Sequence, residues 1–233
     1  MVNGTIEFGR ANEPPQPDGR LDAPTFHRNH AAIGAVLEAA LRGRTGDLLE
    51  IGSGTGQHAV ALARLLPGIT VWPTDLNDSH LRSIAAWRAH AGPGNLRPPM
   101  RLDASAPDWP LAALGLPNTF VAMFCANVIH IAPWAVAQRL FAAAGRHLGA
   151  DGRLFLYGPF RRDGVHNAPS NAAFDASLRR QNPEWGVRDT ADLRALAKAS
   201  GLRLLDIIEM PANNAVLTFA LTPARNVAQG KQS

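Results

Sequence analysis

Apolar positions along this chain switch repeatedly between two spacings. After Pro24, Ile33, Val36, Leu37, Ala40 and Leu41 recur at helical intervals, which predicts a helix that "RGRTG" stops. "DLLEI" is instead a short unbroken apolar run ended by glycines, the pattern of a strand buried on both faces. The alternation continues with helix "QHAVALARLL", strand "TVWPTD" and helix "SHLRSIAAWRAHAG", for which a cap is expected near Asp78 or Ser79. Strands "PMRLD" and "TFVAMFCAN", a helix opened by Pro133, and strand "GRLFLYG" follow. A polar stretch from Pro159 to about Arg188 holds one predicted helix, near Asn171 to Arg180. Helix "TADLRALAKASG" precedes strands "LRLLDIIEM" and "NAVLTFALT", whose turn-rich link "PANN" suits an antiparallel hairpin. Pro73 falls inside a predicted strand and is read as a local bulge.

Strands alternating with helices imply right-handed crossovers and a parallel sheet covered on both sides. The expected fold class is therefore α/β: a single Rossmann-like, doubly wound, mostly parallel sheet of about seven strands, ending in a C-terminal antiparallel hairpin. Residues 1–24 read as an irregular leader, 25–222 as one domain with a lid-like insertion at about 158–188, and 223–233 as a disordered tail.

Composition narrows the class. At 233 residues, 46% hydrophobic and 18% charged, the chain suits a globular domain with a large core. The net charge of +4 comes almost wholly from arginine, since Lys198 and Lys231 are the only lysines. Those arginines are scattered without a basic run, which disfavours a nucleic-acid partner. Cys125 is the single cysteine, so no intrachain disulfide or cysteine metal cage can form. With no signal-like segment and no apolar stretch near membrane-helix length, a cytoplasmic location and no membrane partner are expected. The oligomeric state stays open, a dimer included.

The informative segment is Glu50-Ile51-Gly52-Ser53-Gly54-Thr55-Gly56-Gln57-His58, where a buried strand hands over to a helix. Glycines there let the backbone turn sharply and a ligand approach closely. Asp75 follows Gly56 by nineteen residues, at the end of the next strand, where a carboxylate reaches two ribose hydroxyls. The spacing G-x-G-x-G differs from the dinucleotide G-x-G-x-x-G, and Tyr157 is followed by Arg161 rather than by the lysine of a Tyr-x-x-x-Lys pair. An NAD(P)-dependent oxidoreductase is thus the weaker enzyme reading, and no NTP-binding G-x-x-x-x-G-K loop occurs. A non-catalytic protein that binds the cofactor as a sensor is the third reading.

The loop and acid, in "LLEIGSGTGQHAV" and "PTDL", resemble motif I and the ribose-binding acid of class I S-adenosylmethionine-dependent methyltransferases. From Phe26 to Leu221 the chain resembles the family of methyltransferase-like protein 26 and its bacterial relatives (domain of unknown function 938). "RNHAAI", "SIAAW", "VIHIAPW", "LYGPFRRDG", "PSNAAFDASLRRQNPEWGVRD" and "MPANN" carry that resemblance. It implies S-adenosyl-L-methionine as cofactor, held by Arg28, Asn29, Glu50, Gly52, Ser53, Gly54, Gly56, Asp75, Leu76, Asp103, Ala104 and Asn127. Asp103 would meet the adenine edge, although a capping role after a strand explains it equally.

Methyl transfer is an in-line displacement, so alignment and water exclusion are the main tasks, with a base only for a protonated nucleophile. Candidate bases are His130, His166 and Tyr157. Candidate contacts to a small-molecule acceptor are Tyr157, Phe160, Arg162, His166, Asn171, Asp175 and Trp185, with Arg161 suited to an anion. "NVIH" stands where methyltransferases of planar amines carry [DN]-P-P-[YF], which favours an oxygen, nitrogen or carboxylate acceptor of another kind. His27 and His30 lack a third ligand at plausible spacing, so no metal is expected.

Overall fold

The structure is a computed structural model that describes residues 16–223. Its elements, in chain order, begin with α1 (Pro24–Leu41), β1 (Gly46–Ile51), α2 (Gln57–Leu65), β2 (Ile69–Asp75) and α3 (Asp78–Ala91). There follow β3 (Met100–Arg101), β4 (Phe120–Ala126), α4 (Trp134–His147), β5 (Leu148–Gly158), β6 (Phe160–Arg162) and β7 (Val165–His166). The chain closes with α5 (Pro169–Gln181), β8 (Arg188–Asp189), α6 (Thr190–Ala199), β9 (Leu202–Met210) and β10 (Asn214–Leu221).

Seven strands form the main sheet in the order β3-β2-β1-β4-β5-β10-β9. The first five run parallel, while β10 pairs antiparallel with both β5 and β9. The expected α/β fold with its terminal hairpin is what the chain adopts. Each strand feeds both faces. Leu49, Ile51, Met123, Cys125, Leu154 and Leu156 pack toward α4 and α6, whereas Leu48, Val71, Ala122, Phe124 and Phe155 pack toward α1 and α2. Two-sided burial explains why these strands read as continuous apolar runs.

Pro73 makes no bulge. The β1–β2 register runs unbroken from Gly46↔Ile69 to Ile51↔Thr74. Val71 and Asp75 bond toward β3, through Asn95, Arg97 and Leu102, and Thr74 bonds toward β1. Alternation therefore turns the missing N–H of Pro73 to the β3 side, ahead of Met100, where that short strand begins to pair.

Four other expectations change. The cap of α3 is Asn77, whose side chain accepts the Ser79 N–H at 2.8 Å. β3 is two residues long. The stretch after β5 is a second, three-stranded sheet in the order β7-β6-β8, with α5 between β7 and β8. The leader also differs at its end, because residues 20–23 are tied to α2 and α3. Residues 1–15 and 224–233, most of the expected leader and tail, lie outside the described residues.

Candidate active site

Strand order reverses between β1 and its neighbours β2 and β4, which opens a crevice above the carboxyl ends of the strands. The glycine loop fills the β1–α2 link at that point. Gly54 has φ +57°, and a Cβ there would meet nothing within 4 Å, so that side of the backbone is open to a ligand. At Gly56, φ +91° combines with close packing, since a Cβ would lie 2.8 Å from the Ile84 backbone. Thr74 and Ser53 exchange bonds across the β1–β2 top, extending the ladder into the loop.

Asp75 ends β2 and meets this loop directly: the Gly54 N–H donates to Oδ2 at 2.8 Å. Oδ1 accepts the Asn77 N–H at 2.9 Å and lies 3.2 Å from Nδ1 of buried His80, a partner that no motif in the chain announces. Beneath the loop, Glu50 is 3% exposed and its Oε2 has no hydrogen-bond partner among the described residues. Burial, the charge of Asp75 adding to it and the Ser53 hydrogen bond opposing it, pushes the Glu50 carboxyl up to about 8.

The remaining candidates reach the same edge from several elements. Leu76 follows Asp75 and offers its carbonyl to Arg101. Asp103 accepts the Ser105 N–H and O–H at 2.8 and 2.6 Å in a turn, not in a helix cap, and Ala104 packs at the rim of the core. Asn127 directly follows β4, in the left-handed region at φ 63°, an uncommon conformation that clusters at functional sites. Its N–H donates to the Tyr157 carbonyl at 2.8 Å, joining the tops of β4 and β5. From α1, Asn29 pairs with His58 at 3.0 Å, and Asn29, Asn214 and Arg28 stand where they favour the ionised Tyr157 hydroxyl. Burial raises the Tyr157 hydroxyl above its ordinary value.

His130 has a structural place. It is fully buried, its Nδ1 accepts the Arg188 N–H at 3.3 Å, and its ring meets Phe160 edge-on at 5.1 Å. Burial and then the Arg188 charge push it down to about 3. Its Nε2 abuts Gly158, where a Cβ would sit 2.4 Å away. With its acceptor nitrogen occupied and the cation disfavoured, His130 is poorly suited to take a proton.

Most of the predicted acceptor contacts hold the insertion together. Asn171 donates to Asn167 at 2.7 Å and to the Asn213 carbonyl at 2.8 Å. Asp175 accepts the Val187 N–H at 2.7 Å and the Arg179 Nε, and lies 3.4 Å from His166 Nε2. Those bonds hold its carboxyl below the usual range although burial opposes them. Phe160 and Trp185 are buried, and Arg162 pairs with Glu209. Arg188 clamps the insertion to the body, donating to the carbonyls of Ile129 at 2.8 Å and Ala132 at 2.6 Å. These bonds tie the segment to the body as a wall beside the crevice. Tyr157 and His166 remain beside it, His166 with its side chain 22% exposed. His27 pairs with Asp22, and His30 stacks on Phe26.

Known structures share this architecture at low identity. A family 2 O-methyltransferase from Planctomyces limnophilus, solved with apigenin, matches at 19% identity and TM-score 0.70, over 83% of this chain and 56% of that one. Human N-acetylserotonin methyltransferase, solved with SAM, matches at 13% and 0.69, over 85% and 53%. The calicheamicin-biosynthesis methyltransferase CalO1, solved with SAH, matches at 18% and 0.62, over 82% and 54%. The chain thus spans little more than half the length of these proteins, and the likeness shows the fold. The family model described as "Protein of unknown function (DUF938)" matches residues 20–221, nearly the whole described chain, and the protein belongs to that family.

Proposed function

We propose that the protein is an S-adenosylmethionine-dependent methyltransferase that delivers a methyl group to a small-molecule acceptor. One observation carries this reading: the Asp75 carboxylate and the Gly54 N–H meet above the point where strand order reverses. A ribose hydroxyl would be received at Asp75, because a carboxylate has about four acceptor positions and Gly54, Asn77 and His80 take three of them here. The residues fit the cofactor in two further ways. The backbone beside Gly54 is open, and the buried Oε2 of Glu50 lacks the donor that an amino-acid ammonium would supply. Gly52, Ser53, Gly56, Leu76, Asp103, Ala104 and Asn127 complete the rim, and Arg28 and Asn29 close it from α1. The fold shared with methyltransferases solved with SAM or SAH supports the same assignment.

When bound, the cofactor supplies a methyl carbon already activated by a sulfonium. The chain's residues align the acceptor and keep water out. Tyr157 and His166 are the two groups offered to a protonated acceptor. Arg162, Phe160, Asn171, Asp175 and Trp185 shape the wall. Calorimetry with S-adenosylmethionine, S-adenosylhomocysteine and NAD tests the reading. Binding of the first two is expected; binding of NAD alone would return the oxidoreductase reading. A tritiated-methyl screen over metabolite pools then separates an enzyme from a non-catalytic binder.

A further inference from the structure

The residues just before α1 are bolted to the glycine loop through a buried polar network. Gln57, the first residue after that loop and 3% exposed, uses both ends of its amide. Its Nε2 donates to Asp22 Oδ1 at 2.7 Å, while Oε1 accepts the Ala23 N–H at 2.8 Å and the Thr55 hydroxyl at 2.9 Å. Ser83 makes a parallel link, donating to the Thr55 carbonyl at 2.7 Å and accepting the Leu21 N–H at 2.9 Å. Trp87 donates to the Leu21 carbonyl at 2.8 Å and carries the Arg20 guanidinium over its ring at 4.7 Å. Ala23 leads straight into α1, where Asn29 pairs with His58 of α2 and stands near Tyr157.

Thr55 is therefore read from two sides by groups that also hold residues 20–23. A ligand that settles the loop would settle the strap and, through α1, Asn29. We propose that residues 20–29 are a cofactor-responsive cap and that Gln57 is its positioning residue, coupling occupancy of the glycine loop to seating of the cap. The proposal rests on the nucleoside-binding reading of that loop. Coupling of this kind is reciprocal: whatever factor seating contributes to ligand affinity, the ligand returns to seating.

S-adenosylhomocysteine is the probe. In the wild-type protein it is expected to slow tryptic cleavage at Arg20, whose side chain is 14% exposed, more than cleavage at exposed Arg180 in α5. Gln57→Glu keeps the acceptor for Ala23 and Thr55 but sets a carboxylate against Asp22, so like charges meet in a partly buried place. Its affinity for the probe, by calorimetry, is expected to fall about tenfold while Arg20 cleavage rises. Adding Asp22→Asn restores a donor opposite the introduced carboxylate and is expected to bring affinity back to within about threefold of wild type. Equal probe affinity in Gln57→Glu with an opened strap would overturn the coupling, as would equal protection of Arg20 and Arg180 in the wild type. No binding of the probe by the wild-type protein would instead remove the reading beneath it.

Discussion

Glu50 sits far from water, only 3% exposed. The raised carboxyl, about 8 against an ordinary 4.5, sets a sign for pH dependence. Below about pH 4.5 folded and unfolded chains both hold this proton; between 4.5 and 8 only the folded chain keeps it. Stability is therefore lost as pH rises across that window. Glu50→Gln is expected to flatten the loss, measured by urea titration at pH 5 and pH 8. A cation seated at Oε2 would expel the proton, so S-adenosylmethionine binding at pH 7 is expected to release up to one proton. Calorimetry in two buffers of different ionisation enthalpy reads that number, and zero would separate Glu50 from the ligand. His130 acts with the opposite sign: held neutral to about pH 3 when folded, it takes a proton below about 6.5 when unfolded. Its contribution is lost as pH falls through that range, together with that of His58, pushed down to about 4 by burial. His130→Gln should remove part of the acid slope and leave the His58 part. Glu50 and Asp75 could be picked out from sequence because their spacing to the glycines is local. His130 as a buried strut could not, since Arg188 and Gly158, which confine it, are distant in the chain.

At the scale of elements, the wall after β5 shows where reading ran short. β6 and β7 are joined by Asp163 and Gly164, both with positive φ, 49° and 82°, the arrangement of a tight two-residue hairpin turn. The Asp-Gly pair is a strong hairpin signal, but strands of three and two residues are too short to show a period. Gly164→Ala is expected to cost about 1 kcal/mol by thermal melting, from backbone conformation alone because a Cβ would touch nothing within 4 Å. Arg188→Lys replaces a fork that holds the Ile129 and Ala132 carbonyls by a single point charge. A loss of about 1–3 kcal/mol is expected, with faster hydrogen exchange confined to residues 128–132 and 182–190.

At the scale of the molecule, ligand and fold are linked. S-adenosylhomocysteine at a hundredfold excess over its Kd is expected to stabilise the chain by about 2.7 kcal/mol, a rise in Tm of about 5–10 °C. The order of the main-sheet strands and their helices, the two-sided burial of β1, and the glycine loop with its acid were all determined by sequence alone. Each is a local pattern: a period, a run, or a spacing along a few turns of chain. Tertiary structure decided what lay between distant segments. It turned the missing N–H of Pro73 to the β3 side, spent Asn171 and Asp175 on the wall, buried His130, and set Gln57 between the loop and the strap. A side chain's type states which bonds it can make. Only packing states which partners stand within reach, and a polar group once buried must take one of them.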